Sequence, residues 1–238
     1  RGNNQHQVPA VSPRGGGWGS WIGWHTRWVT HAPFDGLANL GPVAQLAAGA
    51  LPERLVRLLV GLWLFGMSIA LMIAGDVGAA PWDVFHTGVQ RHVPLSLGVV
   101  MIVASVAVLG AWIPLRQMPG LGTVLNAILV GVFADVGLAI LPTPDAMVAR
   151  VGFMLGGVVL CAFATGLYVG AQFGPGPRDG LMTGLARRTG WSIRVVRTGI
   201  EVGVLLVVVA LGGAIGVGTV VFAFGVGPIT QFFLPRMT

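Results

Sequence analysis

Six stretches of this chain are apolar for long enough to leave few folding options: residues 55–75, 95–113, 120–141, 148–172, 193–213 and 217–235. At about 1.5 Å per helical residue, each can reach across roughly 30 Å of hydrocarbon. Open strands cannot satisfy their backbone groups in lipid, so helix is the form these runs must take. Composition agrees, since 54% of the 238 residues are hydrophobic and 9% charged, against about 25% charged in an ordinary soluble domain. The expectation is an all-α membrane protein with six transmembrane helices over residues 51–238.

Residues 1–50 read differently. They are rich in Gly, Pro, Asn, His and Trp and hold no sustained apolar run. Trp18, Trp21, Trp24 and Trp28 recur at helical spacing, which suits an aromatic helix at the membrane interface. A poorly structured tail, or sequence upstream of the natural start, is the reading preferred here. No apolar signal-peptide core is expected in it.

The formal net charge is +6, and all 14 basic residues are arginine. They are scattered among apolar runs, which fits topology control better than a nucleic-acid surface. With six spans beginning inside, only Arg91 and Arg150 fall on the outer side. Both termini are therefore expected on the cytoplasmic side of the cytoplasmic membrane. The single cysteine, Cys161, allows no disulfide framework.

A shift of 96 residues lays the sequence on itself. Pro81, Asp83, Thr87 and Gly88 fall on Pro177, Asp179, Thr183 and Gly184, and Arg54 falls on Arg150. Segment 119–131 falls on 215–227 with seven identities in thirteen. Two repeats follow, over about 54–142 and 150–238. Each holds three apolar runs, an odd number, so the second copy is expected upside down relative to the first.

Pro81 and Pro177 suit the first turn of a helix, where a missing N–H costs nothing. Asp83 and Asp179 then face free N–H groups and the positive end of the helix dipole. Each short helix is expected to run about ten residues, to Arg91-His92 and to Arg187-Arg188. It either dips into the membrane with its Pro-Asp end deep, or lies flat at the interface with Asp as a cap. The repeated Gly-x-Gly-Thr, carrying Thr123 and Thr219, suits close helix packing or the lining of a solute path.

Two acids lie inside apolar runs, Asp135 and Glu201, and intramembrane carboxylates point to function by default. Arg194, Arg197 and Glu201 share one helix face. They form either a polar track carrying protons or a cation, or an internal Arg197–Glu201 pair with Asp135 near the outer interface. His86 and His92 have no partner at metal-ligand spacing, so neither a metal nor a cofactor is expected. No nucleophile elbow, P-loop or HExxH occurs, so an enzyme is not expected either.

The series PWDVFHTG, PGLGTVLNAILVG, GPGPRDGLMTGLARRTGWSIRVVRTGIEVG and GVGTVVFAFGVGPITQFF resembles the YczE/YitT family of bacterial multipass membrane proteins, from about Pro52 onward. The resemblance implies an integral membrane protein, with some relatives linked to lipopeptide antibiotic production. An end after the sixth run looks more like the YczE branch. Two functions are expected. One is a small-solute or ion transporter with Asp83, Asp179, Thr123 and Thr219 converging centrally and Glu201 coupling the cycle. The other is a non-transporting accessory protein supporting biosynthesis or export, docked on a membrane partner or on a second copy of itself.

Overall fold

The structure, a computed structural model, describes residues 49–211 and 216–237, without the side chains of residues 193, 194 and 234–237. The expected tail over residues 1–50 lies outside these residues apart from its last two. Eight helices follow in order: α1 Leu51–Gly75, α2 Pro81–Gln90, α3 Leu97–Leu115, α4 Leu121–Ile140, α5 Met147–Gly170, α6 Pro177–Thr189, α7 Ile193–Ala210 and α8 Val217–Met237. The starts of α5, α6, α7 and α8 each lie 96 residues after those of α1, α2, α3 and α4.

Four helices, α1, α3, α4 and α5, are long and apolar enough to cross a membrane. α8 is apolar over Val217–Phe233. α7 has 18 residues but carries Arg194, Arg197 and Glu201. Local chemistry sets the boundaries. Pro52, Pro81 and Pro177 occupy first turns, and Ser96 and Ser192 cap α3 and α7 by accepting from Val99 N and Val195 N.

The helices form two connected groups. α1 and α5 pack side by side, with α4 against α1 and α8 against α5. Around them, α3 meets α6, α6 meets α7, α7 meets α2 and α2 meets α3. The α1–α5 contact is close because glycine sits at both crossing points. A Cβ on Gly61 would lie 2.8 Å from Tyr168 N, and one on Gly157 2.5 Å from Met72 Cγ. Small residues that let backbones approach replace the hydrophobic drive that lipid removes.

Two arginines tie the ends of this central pair. Arg54 is fully buried. Its Nε donates to Ala171 O at 3.1 Å and its Nη2 to Gln172 O at 3.2 Å, and the guanidinium lies 4.3 Å over the Phe173 ring. Arg150 donates through Nε to Gly75 O at 3.0 Å and pairs with the Asp76 carboxylate. Each thus satisfies carbonyls at the C-terminal end of the neighbouring long helix, where a cation also suits the dipole. Gln172 and Asp76 both have positive φ, 54° and 49°, and turn the chain out of α5 and α1 toward the short helices.

Arg54→Gln should lower stability by about 2–3 kcal/mol, because buried carbonyls lose a charged donor. Arg150→Gln should cost less, about 1 kcal/mol or below, since its Asp76 partner is exposed. Thermal unfolding of the purified protein reads the order of the two.

Candidate functional site

α2 and α6 begin beside each other. Both follow a Gly-rich turn, with Gly78 at φ 129° and Gly174 at φ 103°, a region open to glycine at low cost. Each turn is pinned by the helix that starts with Gly-x-Gly-Thr: Gly122 N donates to Phe173 O at 2.8 Å, and Gly218 N to Val77 O at 3.0 Å. Thr123 Oγ1 donates to Pro175 O at 2.7 Å and accepts from Gly120 N at 3.2 Å. On the other side, Trp112 Nε1 donates to Pro177 O at 3.0 Å, and its ring fills the space that the missing side chain of Gly180 leaves.

Charged groups meet where the short helices start. Asp83, in the first turn of α2, is 1% exposed, and so is His86 one turn on. Arg178, from the first turn of α6, holds Nη2 3.8 Å from Asp83 Oδ1. Its guanidinium also lies 5.0 Å from the Trp82 ring. At 3.8 Å the pair attracts but is too long for a hydrogen bond. His86 Nδ1 stands 4.0 Å from the same Asp83 oxygen.

Asp179 differs from its sequence counterpart. It is exposed, and its Oδ2 accepts from Tyr168 Oη at 2.9 Å. The Asn126 amide lies close by, with Tyr168 Oη and Asp179 Oδ2 around Gly176.

Buried polar atoms without a partner gather at the same place. Trp82 Nε1, Asp83 Oδ1 and His86 Nδ1 belong to α2, and Thr219 Oγ1 sits against the Gly78 turn that precedes it. Buried polar groups are nearly always hydrogen-bonded, and each exception costs about 1–3 kcal/mol. For a metal ion the set is thin. Asp83 and His86 offer two donors, no third His, Cys, Asp or Glu joins them among the described residues, and Arg178 brings a repelling charge.

The sequence-derived candidates thus divide. Asp83 and Asp179 flank Arg178, Thr123 anchors the turn before α6, and Thr219 sits against the turn before α2 with its hydroxyl unpartnered. Asp135 lies elsewhere, accepting from Gly98 N at 2.7 Å and Ser96 Oγ at 2.5 Å, so it caps the start of α3. Glu201 accepts from Arg197 Nε at 2.9 Å within α7, and the side chain of Arg194 is outside the description. Arg178, Tyr168 and His86 were not singled out for the site by sequence reasoning. Arg178 was counted as an inner-surface arginine, yet it stands beside buried Asp83. The Arg-Asp dipeptide inside a Gly-Pro segment is the one feature of the sequence that could have pointed to it.

The profile of a family of unknown function, DUF6198, matches residues 52–235. A Haemophilus influenzae protein described as uncharacterized is 40% identical over 177 residues, covering 74% of this chain and 81% of its own length. The Bacillus subtilis "Uncharacterized membrane protein YczE" is 36% identical over 178 residues, covering 74% and 83%. The Bacillus subtilis protein YyaS is 25% identical over 183 residues, covering 74% and 90%. No solved structure matches.

In a double-mutant cycle, Asp83→Asn and Arg178→Gln should couple by about 1–3 kcal/mol, because each single change leaves its partner without a counter-charge. Melting of the two single variants and the double variant measures it.

Proposed function

The chain belongs to the family of unknown function DUF6198 as a YczE-like membrane protein, and we propose that it is a non-enzymatic transporter of a small solute or ion. In this reading six helices span the cytoplasmic membrane as two inverted repeats, α1 to α4 and α5 to α8. α2 and α6 dip in from opposite faces, and both termini lie in the cytoplasm. Support for inversion comes from the exchanged contacts. Arg54 reaches Ala171 while Arg150 reaches Gly75, and Gly122 reaches Phe173 while Gly218 reaches Val77. Each pair recurs at the 96-residue spacing with donor and acceptor halves swapped, as a twofold axis in the membrane plane requires.

One observation carries the transport reading: polar atoms left without partners where two interrupted helices meet. Half-helix N-termini in inverted-repeat transporters point at substrate groups near mid-depth. Here they frame Asp83 and Arg178, two opposite charges held apart at 3.8 Å. A solute or ion that inserts between them can take an anionic group to Arg178 and a cationic group or proton to Asp83. Desolvation makes such exchange selective, since an ill-matched solute leaves a buried charge alone. Arg197–Glu201 and Asp135 then hold helices, and Tyr168 steadies Asp179 beside the path.

Uptake into proteoliposomes over a panel of small anions, zwitterions and cations tests this. Wild-type protein should accumulate at least one panel member. Arg178→Gln and Asp83→Asn should lose most of that uptake at equal protein level, by about tenfold or more. Asp135→Asn should retain it. Absence of flux across the panel from folded protein would favour the accessory role instead.

A further inference from the structure

Away from the centre, a cavity of about 690 Å³ opens where the end of α3 meets the end of α6, lined by Ile113, Leu115, Arg116, Gln117, Arg187 and Arg188 among others. Its shape follows from the chain. α3 stops at Arg116, which takes a left-handed conformation at φ 52° and turns the backbone away. Gly184 brings α6 against Gln117, where a Cβ would come within 2.9 Å of Gln117 Cγ. Arg188 Nη1 donates to Pro114 O and ties the two walls together. Arg116 and Arg187 are exposed, and neither has an ion-pair partner among the described residues.

We propose that this cavity binds the phosphate of an anionic glycerophospholipid. Depth is the first argument. α3 is a candidate span of 19 residues, about 28 Å long, so its last turn lies at the headgroup level. The lining is the second. Three guanidinium groups supply the planar donors that grip phosphate. Ile113, 79% exposed, and half-buried Leu115 line the same cavity and give the glycerol and upper acyl chain an apolar wall. Free phosphate has no use for that wall. Charge is the third: basic pockets between membrane helices recognise anionic headgroups. At an offset of 96 residues the sequence has Arg91 and His92 for Arg187 and Arg188, and Gly212 for Arg116. His92 Nε2 there lies 3.2 Å from Leu211 O. The three-arginine set thus occurs at one of the two equivalent sequence positions. None of this depends on the transport reading.

Native mass spectrometry of the full chain, titrated with phosphatidylglycerol and separately with phosphatidylcholine, tests the proposal. Wild-type protein should prefer phosphatidylglycerol. Arg116→Gln and Arg187→Gln should each weaken it about fivefold, leaving phosphatidylcholine binding unchanged. Arg197→Gln, an exposed arginine outside the cavity, should leave the preference intact, and millimolar inorganic phosphate should not displace the lipid. Melting temperature without added lipid checks the fold of each variant. Unchanged phosphatidylglycerol affinity in variants that melt like wild type would overturn the proposal. An equal loss in Arg197→Gln would do so too, and displacement by phosphate would assign the cavity to a soluble anion.

Discussion

An arginine from each half of the chain closes the end of a long helix in the other half. That contact answers a problem the fold creates for itself. α1 and α5 end where the chain turns toward α2 and α6, and their last carbonyls need donors, above all at the buried Arg54 end, the Arg150 end being more exposed. Arg54 reaches the carbonyls of Ala171 and Gln172, and Arg150 those of Gly75 and Asp76. Once those ends are held, the left-handed residues Asp76 and Gln172 can send the chain back into the bundle. The N–H groups of Gly122 and Gly218 then fix the returning turns. Remove the closure and the short helices lose the floor on which they start.

On this repeated frame the chemistry is unequal. Asp83 is buried against Arg178, whereas its counterpart Asp179 is exposed and bonded to Tyr168. Trp82 corresponds to Arg178 in sequence, so the ring and the cation that stack on each other occupy equivalent positions. Thr123 satisfies its hydroxyl on Pro175, while Thr219 has no such partner. Gly98 packs tightly on Gly131 and Asp135, where α3 meets α4. α7 finds its contacts on α2 and α6. The common backbone carries support, and departures from it carry whatever specificity the centre has.

Much of this was legible in residue order. Helix starts at Pro81 and Pro177 were readable because proline's missing N–H has one cheap location. Apolar runs marked the long helices to within a few residues, since their length is set by the bilayer. Other features depended on distance in space. Asp135 reads from the sequence as an acid inside an apolar run, but its meaning lies with Ser96 and Gly98, which it caps across a helix contact. Arg178 reads as a topology marker because sequence position alone cannot tell an arginine at a surface from one held beside a buried carboxylate such as Asp83. Tyr168 looked like one more apolar residue of α5, with nothing nearby in sequence to announce a hydrogen bond to Asp179.

The central claim is that the halves thread the bilayer in opposite senses. Accessibility of single cysteines at Gln90→Cys and Thr189→Cys, with buried Cys161 replaced by Ala, tests it most directly. A membrane-impermeant maleimide should label Gln90→Cys in intact cells and Thr189→Cys only in inside-out vesicles. Labelling of both positions from one and the same side would contradict it.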